Sequence, residues 1–192
     1  MLFMTSILMG AILTAIVVYL KERYASFRAQ TSDDYADGPL FDIRERFNGP
    51  IACEGVIYGP TGKVSSRFVA DIEASWNGNI GTMKERFHYD SGQVQDRVWT
   101  LTLGNDGSIK ARAPDVVGTG TGEQKGSAVL LNYRIRLTDE AGGHALDVTD
   151  WMYLMSNGSI MNRSQFRKFG IKVAELVATM RPKNTAYAGE DM

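Results

Sequence analysis

The sequence predicts an all-β fold, an antiparallel β-barrel preceded by one N-terminal transmembrane helix. Three observations carry this reading. The first twenty residues hold no charged side chain, the remainder is punctuated by glycine-bearing turns, and the runs between those turns alternate apolar with polar residues. Period-two alternation marks strands that bury one face.

The apolar run comes first. As a helix, Leu2 to Leu20 would rise about 28 Å at 1.5 Å per residue, close to the ~30 Å hydrocarbon thickness of a bilayer. A cleaved secretory signal calls for a basic start, a shorter apolar stretch and a small-x-small site. Here the start lacks Lys and Arg, and Tyr24 to Gln30 offers no such site. An uncleaved single-pass anchor is therefore expected, with Tyr19 and Tyr24 where interfacial aromatics usually sit. Lys21, Arg23 and Arg28 follow the run and nothing basic precedes it, so the positive-inside rule places the globular domain in the cytoplasm. The expected division is an anchor over 1–24, a polar linker over 25–39, a barrel over 40–181 and a disordered tail over 182–192.

Composition narrows the function classes. The chain balances 21 Lys plus Arg against 22 Asp plus Glu, which is not the basic excess of a nucleic-acid binder. The lone Cys53 excludes an intramolecular disulfide. His88 and His144 have no second ligand at a metal-binding spacing, so neither a metal nor a cofactor is expected. Gly118-Thr-Gly120-Thr-Gly122 has the look of a phosphate loop, but Lys125-Gly126-Ser127 follows in the wrong order and no helical segment comes after it. It reads as a flexible connection.

Before the strands, Leu40 to Phe47 reads as a short helix, with Asp42 as N-cap and Glu45 three residues on. The expected strands are Ile51 to Tyr58, Val64 to Trp76, Ile80 to Tyr89, Val94 to Leu103 and Ser108 to Asp115. Four more follow at Ala128 to Leu137, His144 to Tyr153, Ser159 to Phe166 and Ile171 to Met180. Turns such as Gly59-Pro-Thr-Gly62, Asn77-Gly-Asn79 and Gly104-Asn-Asp-Gly107 separate them with residues that tolerate positive φ. In the second strand Phe68, Ala70, Ile72, Ala74 and Trp76 share a face; in the fourth, Arg97, Trp99, Leu101 and Leu103 do. Val129, Leu131, Tyr133, Ile135 and Leu137 form a third such row. Nine meandering strands favour closure, because closure removes unpaired edges. Ala174, Glu175, Leu176 and Ala178 are good helix formers, so a helix competes with the last strand.

No nucleophile elbow is present, and paired carboxylates on one strand face such as Asp71 and Glu73 are common by chance, so an enzyme is the less favoured expectation. Polar groups embedded in apolar strands are more telling. Arg97, Trp99, Asp150, Trp151, Tyr153, Asn162 and Arg163 form the candidate ligand-binding set. On the functional reading they line a cavity with an apolar body for an acyl chain and a cationic spot, at Arg97 or Arg163, for a carboxylate or phosphate. On the structural reading they face solvent or make salt bridges.

The stretches Arg67 to Trp76, Asp96 to Leu101, Ala113 to Val117 and Asp150 to Leu154, with Asn162-Arg163 and Lys168 to Ile171 after them, resemble the DUF3833 family. This is a bacterial set of proteins of unknown function, often made as lipoproteins. The resemblance implies a lipocalin-like barrel exported and tethered to a membrane, and hence a periplasmic domain at a bacterial inner membrane. The chain departs from that pattern in having an apolar helix and no acceptor cysteine after it. Two functions remain open: a membrane-tethered, non-enzymatic barrel that binds a lipid or fatty acid, and a side-chain-filled barrel that docks a protein partner in a membrane complex.

Overall fold

The computed structural model describes residues 2–139 and 142–183. Helix α1 (Leu2–Tyr24) opens the chain, and the short α2 (Ile43–Arg46) precedes ten strands. These are β1 (Gly49–Tyr58), β2 (Val64–Asn77), β3 (Ile80–Tyr89), β4 (Val94–Leu103), β5 (Ser108–Arg112), β6 (Gly120–Lys125), β7 (Ala128–Arg136), β8 (Ala145–Leu154), β9 (Ile160–Lys168) and β10 (Ile171–Pro182). Each pairs antiparallel with its neighbours in sequence, and β1 pairs with β10 from Ile51↔Pro182 to Tyr58↔Glu175. The sheet is a closed barrel without edges. The expected tail beyond residue 183 lies outside the described residues.

The rows that alternation picked out point inward. Phe68, Ala70, Ile72 and Ala74 are buried in one core with Trp99, Leu101 and Leu103 of β4 and Val129, Leu131 and Ile135 of β7. Asp71 and Glu73 lie on the outer face, exposed, which removes them as an interior acid-base pair. Ile171–Pro182 is strand despite its helix formers, because pairing on both sides with β1 and β9 outweighs local propensity.

There is one strand more than the nine expected. β6 lies within the stretch expected to be a flexible connection. A Cβ on Gly122 would fall on the Leu130 carbonyl, and one on Gly120 would meet Tyr133. The glycines let β6 lie against β7 at close range. They also erase the alternation by which a strand is recognised.

The segment before β1 closes one end of the barrel. Asp42 caps α2 by accepting the Arg44 backbone N–H at 2.9 Å, and Phe41, Ile43 and Phe47 insert fully buried into the core. Trp76 Nε1 donates to the Phe47 carbonyl at 2.7 Å, and the Ile43 N–H donates to Gln124 Oε1 at 3.2 Å. The plug is thereby tied to the ends of β2 and β6.

Residues 26–38, expected to be a polar linker, form a strap on the outer wall. Two short 3₁₀ turns, Phe27–Ala29 and Ser32–Tyr35, lie against β7 and β8, where Phe27, Ala128 and Trp151 make a second small core. Trp151 is 1% exposed, with the Tyr35 ring 5.4 Å away and the Tyr153 ring stacked at 6.0 Å. Gln30 Oε1 accepts hydrogen bonds from both Tyr35 and Tyr153 hydroxyls, at 2.5 and 2.6 Å. Helix α1 is long and apolar enough to cross a membrane by length and composition, and its apolar side chains are exposed.

Trp151→Ala should destabilise the fold by about 3–5 kcal/mol, as deletion of a large buried aromatic does. It should also free the strap, so that limited proteolysis cleaves within residues 26–38. An unchanged melting midpoint together with a protected strap would mean that Trp151 does not hold it.

Candidate functional site

The barrel interior is apolar except for one belt. Along β3 the inward row is Met83, Glu85, Phe87 and Tyr89, and along β4 it is Gln95, Arg97, Trp99 and Leu101. Glu85 and Arg97 are direct cross-strand partners. Opposite them, Asp150 of β8 stands in the row Leu146, Val148, Asp150, Met152, and Asn162 and Ser164 of β9 stand beside it. Period-two alternation thus delivers every one of these polar groups into the core, where an uncompensated charge is costly.

Most of that cost is met by pairing. Arg97 Nε donates to Asp115 Oδ1 at 3.0 Å, and the guanidinium lies 4.2 Å from the Trp99 ring centroid. Tyr133 stands edge-on to Trp99 at 5.2 Å. Asp150 accepts from Ser164 Oγ at 2.7 Å, from Asn162 Nδ2, and from the Tyr133 hydroxyl at 3.4 Å. Asn162 Nδ2 also donates to the Trp151 carbonyl at 3.0 Å, which fixes its amide orientation. Two atoms are left over: Arg97 Nη2 and Glu85 Oε2 are buried without a hydrogen-bond partner.

Burial dominates the acidity of these groups. It pushes the Glu85 carboxyl up from its usual 4.5 to about 7, against the pull of Arg97 and with the push of Asp150 and Asp115. It likewise raises Asp150 despite its hydrogen bonds, and carries the Tyr133 phenol well above its ordinary value. The belt borders a cavity of about 120 Å³ whose mainly apolar walls include Ile72, Phe87, Leu131, Met152 and Leu176. The plug residues Ile43 and Phe47 also line the cavity, while Phe68, Phe87 and Tyr89 form an aromatic cluster with centroids 5.3–6.1 Å apart.

Four of the seven candidates converge here: Arg97, Trp99, Asp150 and Asn162 all line the cavity. The other three do not. Trp151 and Tyr153 point outward under the strap, and Arg163 bonds Glu175 Oε1 at 2.5 Å with its guanidinium 5.0 Å from the Phe27 ring. Strand parity explains the split, since residues 151, 153 and 163 are odd-even partners of the inward positions 150, 152 and 162. Arg97, one of the two positions expected to supply a cationic spot, does not stand alone in the cavity. With Asp115 on its Nε and Glu85 and Asp150 nearby, the guanidinium is outnumbered by carboxyl groups. Glu85, Asp115, Tyr133 and Ser164 were not among the candidates; Glu85 was detectable as a carboxylate interrupting the row Met83, Phe87, Tyr89. Among the described residues no cluster of His, Cys, Asp and Glu could hold a metal ion.

A family model described as "Protein of unknown function (DUF3833)" matches residues 23–182. No curated protein matches the chain. Among solved structures, the S-type phycobiliprotein lyase CPES from Guillardia theta superposes with a TM-score of 0.57 at 10% identity, covering 82% of this chain and 99% of that one. Rv2717c from M. tuberculosis gives a TM-score of 0.53 at 13% identity, over 72% of this chain and 93% of that one. At these identities the likeness is one of fold, a lipocalin-like barrel.

The raised carboxyl of Glu85 has a measurable signature. Between pH 4.5 and about 7 the folded protein holds a proton there that the unfolded chain has released, so this group's contribution to stability falls as pH rises through that window. Glu85→Gln should abolish it, making the variant more stable than the parent at pH 8 by up to about 3 kcal/mol and indistinguishable from it at pH 4. Denaturant melts at both pH values read the difference. Parallel pH profiles for parent and variant would mean that Glu85 ionises as a solvated carboxylate.

Proposed function

The chain belongs to the DUF3833 family, and we propose that its barrel is a non-enzymatic binder of an apolar or amphipathic small molecule, held at a membrane by α1. The observation that carries this reading is the belt of ionisable groups beside an internal cavity. A barrel stabilised by packing alone gains nothing from an arginine and two carboxyls in its core, where apolar residues of like volume serve as well or better. A site that orients a polar head against apolar walls needs such groups. The fold agrees, since a closed barrel plugged at one end leaves a binding space between its strands. A lipid, with an apolar chain and a polar head, is the ligand class that the apolar walls and the membrane-length helix together suit best.

The second reading, a protein-interaction module with a side-chain-filled barrel, draws on the cavity's size. At about 120 Å³ it is smaller than the roughly 300–1,000 Å³ of drug-sized ligand sites. A long acyl chain would need the aromatic cluster of Phe68, Phe87 and Tyr89 to move aside.

The full chain, purified in lipid nanodiscs and extracted with solvent, should yield a small molecule near equimolar with protein by mass spectrometry. Arg163→Met should retain it, because Arg163 is outside the cavity. Extracts no different from those of empty nanodiscs would favour the interaction module.

A further inference from the structure

We infer that the cavity selects a neutral headgroup bearing both a hydrogen-bond donor and an acceptor, of the carboxamide type, rather than a carboxylate. The inference rests on the small-molecule reading above and deepens it. Its ground is the pair of buried atoms that lack partners, Arg97 Nη2 and Glu85 Oε2. One is a donor that cannot accept, the other in its ionised form an acceptor that cannot donate. They belong to side chains directly opposed across β3 and β4, and both side chains line the cavity. A buried polar atom without a partner is costly, so a ligand that satisfies both at once has an advantage that one satisfying either alone lacks. A primary amide does so, with its carbonyl toward Arg97 and its N–H toward Glu85.

Charge argues in the same direction. Arg97 already has Asp115 on its Nε. Glu85 and Asp150 line the same cavity, the latter with its oxygens occupied by Ser164, Asn162 and Tyr133. Tyr89, Tyr133 and Cys53 are the other titratable groups near Glu85, and burial holds all three in their neutral forms, the thiol pushed up to about 12. An incoming carboxylate would bring another negative charge beside Glu85. An alkylammonium would satisfy Glu85 but face Arg97 and leave its free N–H unmet. The neutral amide meets neither repulsion.

The test compares three probes of equal chain length on the full chain in nanodiscs, with empty discs subtracted: hexanamide, hexanoate and hexylammonium. Affinities are read by saturation-transfer NMR titration at about pH 8.5, above the Glu85 titration. Hexanamide should bind at least about tenfold more tightly than either ion. In Glu85→Gln, which keeps the shape and removes the negative charge, the hexanoate deficit should shrink at least about tenfold, because Gln can donate to the carboxylate. Hexanoate binding as well as or better than hexanamide in the parent overturns the headgroup inference and leaves the small-molecule reading standing. Equal binding of all three does the same. No binding of any probe, together with nanodisc extracts that hold no ligand, overturns both.

Discussion

Closure of the sheet by β1 and β10 is the constraint on which the rest depends. Their eight cross-strand pairs, from Ile51↔Pro182 to Tyr58↔Glu175, turn a ten-strand meander into a cylinder with an inside. Without that seam both strands would present unpaired backbone to solvent, an invitation to aggregation. With it, the parity of every strand acquires a fixed meaning, inward or outward. Arg97, Asp150 and Asn162 become interior residues because Trp99, Met152 and Ile160, two positions away, are needed in the core. The contact that closes the barrel contributes none of the belt's polar groups and yet decides its membership.

The belt itself is a compromise between solvation and pairing. Asp150 is met by three donors, and Arg97 by one carboxylate and an aromatic face. Glu85 is the least well met, with one oxygen bare, and burial shifts its acidity toward neutrality against the pull of Arg97 and a hydrogen bond from Trp99. Asp115 enters from the turn after β5 rather than from a strand, so the arginine is tied to a part of the chain that alternation alone would not bring near. Its pairing holds that turn to the barrel wall, together with the bridge between Val116 and Ile135.

Much of this architecture was legible in sequence where one rule acted alone. The edges of β3 and β4 follow from turns with an obvious chemistry, and the inward rows of β2, β4 and β7 from clean alternation. β6 was hidden because its defining feature is the absence of side chains at Gly120 and Gly122, which alternation cannot register. Three of the seven candidates, Trp151, Tyr153 and Arg163, stand outside the cavity for a different reason. Strand β8 is buried on both sides, within by the core and without by the strap, so Asp150 and Trp151 both stand in apolar surroundings although they face opposite ways. Only the fold of residues 26–38, which no periodicity announces, separates the two faces. Glu85 was missed because the row of β3 was not resolved, although Met83, Phe87 and Tyr89 frame it.

The strap leaves only Ala25 and Ser26 between the end of α1 and Phe27, the first residue seated on the barrel wall. A leash that short does more than localise. Wherever α1 is held, the barrel cannot tumble freely about it, and the β7–β9 wall stays turned toward the anchor. Under the membrane anchoring proposed above, the search of such a domain for anything dissolved in the same surface becomes two-dimensional, with an effective concentration set by geometry rather than by bulk supply. A longer, unstrapped connection of the same composition would keep the address but lose the heading.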